Sequence, residues 1–513
     1  RHGTQVAELE HPKTVSPDTQ GPVLRVRSTP PMANERWTLD PDRCFSPEPS
    51  VRSRARELHA EVERLPLVSP HGHVAARLFA DEGARLPDPA TLFVTGDPYV
   101  FRLLHAHGLA HEELGLAPLG GGERETDPRA VWRRFCERFD LFDGTPTGLW
   151  LKTTFVHVFG LRERPSADSA DRLFDALAEA LVSPEFAPRA LLSRFGVEHL
   201  ATTDPADAGL DDHRSAQAAG LRVVPTFRPD GLMQLADPEW RARVERLAAV
   251  VGFEVGSLEA FLEAVRARRL AFAEAGATAS DHAVTSADLS PMDSDDAAEL
   301  FARALAGQAS PAEAERFHAH MLFEMARMAT EDGLVMQLHV GSLRNHDLRL
   351  LDRFGPDMGA DVPVAMDLTR GLQPLLNAFG DETRFRLVVY TLDETTYARE
   401  LAPLAGHYPA LRLGSPWWFH DSVKGIERYL DAVVETAGFR KLAGFVDDAR
   451  ALPTLWARHD VWRRTTCDWL ARLERRGLID EGAAVRSARW LAYGAARDTF
   501  RVGDRDEPAA PTS

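Results

Sequence analysis

Short, almost wholly apolar runs recur along this 513-residue chain, and between them apolar positions fall three and four residues apart. A run of four to eight apolar residues reads as a strand buried on both faces, whereas three-and-four spacing reads as a helix with one buried stripe. Runs at 65–71, 199–203, 222–227, 282–287, 334–340, 386–392, 410–415 and 442–448 predict eight strands, each followed by polar, Gly or Pro residues and then helix-forming sequence. Strands alternating with helices predict a parallel α/β fold, and eight of them match a (β/α)8 TIM-type barrel.

The spacing is uneven. Residues 74–198 show helical periodicity at 128–142, 169–183 and 187–195, which predicts a large helical insertion after the first strand. Further helical excursions are expected at 237–275 and 294–330, and closing helices at 454–475 and 482–500. Residues 1–35 are polar, rich in Pro, Thr and Ser, and without period, so they are expected to be disordered; 503–513 reads as a C-terminal tail. The expected organisation is therefore a barrel over 36–502 that includes the insertion.

Composition narrows the class of function. A formal charge of −17 argues against nucleic acid as a partner, since phosphate neutralisation needs a basic surface. Three cysteines, Cys44, Cys136 and Cys467, without C-x-x-C spacing, give no disulfide framework and no thiolate metal site. No apolar run reaches membrane-spanning length. The expectation is a cytoplasmic enzyme with a small-molecule substrate and no membrane partner; a homo-oligomer is compatible with the sequence.

Candidate chemistry gathers at strand ends. Leu67-Val68-Ser69-Pro70-His71-Gly72-His73 is a strand ending in His-x-His, and residues two apart on a strand face the same side. Asp447-Asp448-Ala449-Arg450 ends the eighth strand, with Asp448 and Arg450 on one face and Asp447 on the other. First and last staves of a closed barrel are neighbours, so His71, His73 and Asp448 can form a His/His/carboxylate set with open positions for a catalytic divalent metal. Gln337 and His339 share one face of an apolar strand, and buried polar groups of that kind need partners. Arg228 and Arg344 follow strands, where a guanidinium can clamp a carboxylate. Asp97-Pro98-Tyr99 and Trp417-Trp418-Phe419 carry aromatic groups that, taken alone, read more readily as core than as ligand contacts.

In order along the chain, SPHGHV (69–74), TGDPYVFRLLHAHG (95–108), HLATTDP (199–205), VVPTFRPD (223–230), MQLHVGSLRN (336–345), GSPWWFHD (414–421), GFVDDAR (444–450) and ARHDVWRR (457–464) resemble the uronate isomerase (glucuronate isomerase) family of the amidohydrolase superfamily. The resemblance implies a distorted (β/α)8 barrel that interconverts D-glucuronate and D-fructuronate, and D-galacturonate and D-tagaturonate. It implies a divalent metal, most often Zn2+, on His71, His73 and Asp448, and substrate contacts from Arg228, His339, Arg344, Trp418 and Arg450. The family has Asp-His-Tyr where this chain has Asp97-Pro98-Tyr99, so a substrate-contacting His is replaced by Pro98 while Tyr99 is retained. Its Asp-Ser-Arg becomes Asp448-Ala449-Arg450.

Such an isomerase moves a hydrogen between C2 and C1 through a cis-enediol. It needs a cation at the α-hydroxy carbonyl, a proton carrier, and a cationic clamp for the distant C6 carboxylate. Asp448, Tyr99 and His339 are the expected catalytic groups, and Arg228, Arg344, Trp418 and Arg450 the expected hexuronate-binding groups. Two other readings share these residues: a mononuclear hydrolase of the amidohydrolase fold, and a drifted homologue that binds sugar acids without turnover.

Overall fold

A computed structural model describes residues 37–284 and 286–503; the expectations for 1–35 and for 504–513 fall outside the described residues. Eight extended segments follow one another around a barrel. They are β1 (Leu67–Ser69), β2 (Val197–Ala201), β3 (Val223–Val224), β4 (Ala279–Ala283), β5 (Val335–Val340), β6 (Leu387–Thr391), β7 (Leu411–Leu413) and an eighth segment over 442–447. Pairing is parallel throughout, from Val68 opposite His199 in β1 and β2 to Val389 opposite Leu413 in β6 and β7.

The barrel is distorted where the sequence interrupts its own ladder. β2 resumes as Asp204–Pro205 and β3 as Phe227–Arg228, and these two short pieces pair with each other. Pro225 lies in the β3 break and offers no N–H to a neighbour. Phe227 then pairs with Ser280 and carries the sheet on to β4. The eighth segment is held to β7 by a single bridge, Leu413 to Leu442, and meets the residues after β1 through the His73 N–H donating to the Ala449 carbonyl at 3.0 Å.

Strand bounds differ from the sequence expectation by at least one residue throughout, as with Val197–Ala201 against 199–203, and two differences have a local cause. β4 begins three residues before the predicted 282–287, because Ala279 and Asp281 turn inward in place of larger apolar residues. The predicted 442–448 strand is extended chain with one bridge, since it rises toward a turn at Asp448 whose φ is 48°.

Between β1 and β2 the chain is helical, including Pro98–Ala106, Pro128–Glu137, Ala170–Val182 and Pro188–Phe195. These helices bury an apolar cluster of their own around Phe93, Trp132, Phe135 and Phe155, which continues onto Leu67, Leu200 and Leu455. The larger cluster fills the barrel and the space beneath its outer helices. Among the described residues no helix is long and apolar enough to cross a membrane.

Candidate metal centre and substrate cavity

His71 and His73 follow β1, and their rings stand 5.4 Å apart, nearly perpendicular. Asp448 Oδ1 lies 3.0 Å from His73 Nε2 and 3.6 Å from His71 Nε2. Oδ1 is nevertheless buried without a hydrogen bond of proper geometry. A carboxylate oxygen and two imidazole nitrogens that converge without sharing a proton suit a divalent cation, whose ligands in such sites are His N and carboxylate O. Burial pushes the His71 imidazole down to about 4, with Asp281 offsetting part of the shift, so the ring is neutral and able to ligate. Burial alone would raise Asp448, but His73, His71 and Arg450 outweigh it and hold the carboxyl well below its ordinary range. Asp448 is also one of few non-glycine residues with left-handed φ; backbone held there by its surroundings marks functional turns more than ordinary strand ends.

A second polar layer stands beside the first. His339, on β5, lies between His71 at 4.9 Å and Tyr390 at 4.7 Å, the latter parallel within 9°. Trp417 meets the same ring edge-on at 4.6 Å. Tyr390 completes the shelf by donating its hydroxyl to Gln337 Oε1 at 3.2 Å, while Gln337 Nε2 is buried without a hydrogen-bond partner.

Asp281 on β4 is the residue that pattern reading passes over. It is 1 % exposed; its Oδ1 lies 2.8 Å from His339 Nδ1, off the line of a hydrogen bond, and its Oδ2 is 3.5 Å from Arg228 Nη1. Burial would raise this carboxyl, but His339, Arg228 and His71 together hold it well below its usual range. Arg228 is shared with Asp230, whose Oδ2 accepts from Nε at 2.8 Å. His71, Asp281 and His339 form a second trio with ligand atoms within 4.8 Å of one another, and the Arg228 guanidinium already supplies positive charge beside it.

The two histidine–acid trios, Arg228 and Trp417 line a cavity of about 280 Å³ together with Thr203, Arg344, Asp357, Trp418 and Arg450. Of the residues expected from sequence, His71, His73, Asp448, His339, Arg228, Arg344, Trp418 and Arg450 are thus brought together at one barrel mouth. Arg344 is oriented by Asp361 at 2.7 Å and stands over the Trp417 ring at 5.1 Å. Asp357, at φ 65° in the loop after the helix Leu348–Phe354, reaches the cavity as a second acid that no local pattern singles out.

Tyr99 is placed differently. It is buried, stacks on Trp418 at 4.8 Å, and gives its hydroxyl to Asp421 Oδ2 at 2.7 Å; it is not part of the cavity lining. Asp97 caps the helix Pro98–Ala106 by accepting from Tyr99 N, and Pro98 takes the first helical position, where a missing N–H costs nothing. The Asp97-Pro98-Tyr99 segment is therefore a built helix start, with the replaced side chain turned to a backbone role. Asp447 faces away from the cavity, as expected, with Oδ2 3.1 Å from His459 Nε2.

Residues 50–500 match the family model described as glucuronate isomerase. The chain is 46% identical over 472 residues to the uronate isomerase of Nostoc punctiforme, covering 92% of this chain and all of that protein. Its fold superposes on the crystal structure of glucuronate isomerase from Caulobacter crescentus with a TM-score of 0.89 at 41% identity, covering 93% of this chain and 100% of the other. The uronate isomerase structure from Thermotoga maritima aligns with a TM-score of 0.83 at 28% identity, covering 90% and 99%. The eight-stranded barrel read from the hydrophobic pattern is the fold of these neighbours.

Proposed function

The chain belongs to the glucuronate isomerase family, and from that membership we propose that it interconverts D-glucuronate and D-fructuronate, and D-galacturonate and D-tagaturonate, at the cavity above β1, β4, β5 and the eighth segment. The observation that carries the reading is the convergence of His71, His73 and Asp448 with three arginines around one cavity of sugar size. We assign a divalent cation, zinc by preference, to His71, His73 and Asp448. When bound it supplies a Lewis acid that holds substrate oxygens and lowers their proton affinity. Imidazole and carboxylate donors accept several divalent ions, so the choice of zinc rests on the family resemblance.

The protein's own residues do the rest. Arg228, Arg344 and Arg450 offer guanidinium donors to the C6 carboxylate and the ring-opened hydroxyls, which fixes C1 and C2 at a repeatable distance from the proton carrier. Asp448 and His339 face the cavity, which supports a role for them in taking the C2 proton and returning it to C1. Trp417 and Trp418 wall the site and keep water from a reactive enediol. Tyr99 stacks on the lining residue Trp418 and gives its hydroxyl to Asp421, so it supports the wall from behind.

The test is conversion of each uronate to its ketose by the purified protein, followed by proton NMR. Formation of D-fructuronate from D-glucuronate supports the assignment. No ketose from either uronate, with one equivalent of zinc bound, removes it.

A further inference from the structure

Arg458 lies in the 457–464 stretch and on the first turn of the helix Leu455–Arg475, behind the cavity rather than in it. It is 3 % exposed. Its guanidinium stacks 3.9 Å from the Trp150 ring centre and 5.2 Å from that of Tyr99. Nη1 donates to the Asp447 carbonyl at 2.9 Å and reaches Asp421 Oδ2 at 3.5 Å, the same oxygen that accepts the Tyr99 hydroxyl. A buried guanidinium carries a large desolvation cost, and simple space-filling beside two aromatic rings does not call for one.

What the guanidinium holds is the peptide that joins Asp447 to Asp448. Tilting that peptide changes the φ of Asp448, which sits at 48°. A non-glycine residue stays in the left-handed region only where its surroundings over-determine it. Three restraints act here: Arg458 on the Asp447 carbonyl, Ala449 N donating to Asp447 Oδ1 at 3.1 Å, and His459 Nε2 at 3.1 Å from Asp447 Oδ2. Of these, Arg458 alone also runs to a second layer, through Asp421 to Tyr99 on the helical insertion.

We propose that Arg458 is a positioning residue for Asp448: it pins the 447–448 peptide so that the Asp448 carboxylate stays aimed at His71 and His73, and through Asp421 it ties that peptide to Tyr99. The inference rests on the metal reading of His71, His73 and Asp448 given above. Partners of this kind, one layer out from ligands, characteristically tune metal affinity by about 10- to 100-fold.

The experiment compares wild type, Arg458→Met, Arg458→Lys and the double variant Arg458→Met/Asp421→Asn. Zinc affinity is measured by competition with a chromophoric chelator, thermal midpoint by scanning, and kcat and KM on D-glucuronate. Arg458→Met leaves Asp421 as a buried acid without its cation and so loses stability whether or not Arg458 positions Asp448; the double variant removes both groups. The expected result is a fall of about 10- to 100-fold in zinc affinity in both the single and double variants, with the midpoint recovered in the double. kcat falls while KM stays within about threefold, and Arg458→Lys restores part of the affinity. A double variant that binds zinc as tightly as wild type overturns the proposal, because Arg458 would then serve only to neutralise Asp421. A wild type that binds zinc but does not isomerise D-glucuronate overturns the proposed function instead, and the zinc affinities still judge Arg458. A wild type that does not bind zinc overturns the metal reading and this inference with it.

Discussion

Asp281 and Asp421 are both withdrawn from water, at 1 % and 7 % exposure, yet their proton affinities are shifted in opposite directions. Asp281, on the barrel wall, faces His339, Arg228 and His71, and stays ionised despite its burial. Asp421, in the layer behind Trp418, has the Tyr99 hydroxyl and one guanidinium at 3.5 Å, and burial pushes it up to about 7. Burial raises both and each has a guanidinium at 3.5 Å; the difference is that Asp281 also faces two imidazoles, with His339 Nδ1 at 2.8 Å, where Asp421 has a phenol. It separates two regions: a cavity wall organised around fixed charge, and a supporting layer organised around direction, in which Arg458 and Tyr99 hold neighbours in place.

The largest effect should follow from removing charge at the wall. Asp448→Asn is expected to lower kcat by about a thousandfold or more, measured in a zinc-loaded sample, because one substitution takes away a ligand and a proton carrier. Unchanged turnover would remove Asp448 from the chemistry.

Asp281→Asn should come next. It removes the carboxylate that Arg228 and His339 share, so kcat/KM should fall by about a hundredfold, and stability by about 3 kcal/mol as Arg228 loses one of its acidic partners and keeps Asp230. Steady-state kinetics and a denaturant curve check both. Full activity would mean that the wall does not depend on its second acid.

The supporting layer should instead answer to pH. Asp421 binds its proton more tightly in the folded protein than the ordinary value of 3.8, so folding takes up a proton between about pH 4 and 7. The stabilising protonated state is fully present below 4, and its benefit is lost as pH rises through 7. Over that window wild type should lose up to about 4 kcal/mol relative to Asp421→Asn. A stability difference between the two proteins that does not change with pH would place Asp421 with Asp281 among the ionised acids.

Ser310→Ala supplies the baseline. Ser310 and Glu313 form a capping box at the start of Pro311–Asp332, on neither region, so the change should lower stability by about 1 kcal/mol with kcat/KM unaltered. Altered kinetics would show that the site responds to any loss of stability.

What could be read from the sequence follows the same division. The wall is carried by strand ends, where period-two alternation and apolar runs place His71, His73, His339 and Arg228 without knowledge of the fold. Asp281 escaped because its neighbours Ala279, Ser280 and Ala283 are small, so the apolar run starts too late to include it. Asp357 depends on a left-handed loop residue that no local pattern announces. The supporting layer was the least legible. Tyr99, Asp421 and Arg458 are hundreds or tens of residues apart, and each reads alone as an ordinary helix or loop residue until the barrel brings them together. Pro98, which by resemblance alone is a lost contact, is the first residue of a helix that Asp97 caps.

Metal removal followed by stepwise zinc return tests the central claim most directly. Protein stripped with a chelator should lose D-glucuronate isomerisation, and turnover should return in proportion to added zinc up to one equivalent per chain. Isomerisation that persists at the same rate in the stripped protein would contradict the assignment of His71, His73 and Asp448 as a catalytic metal centre.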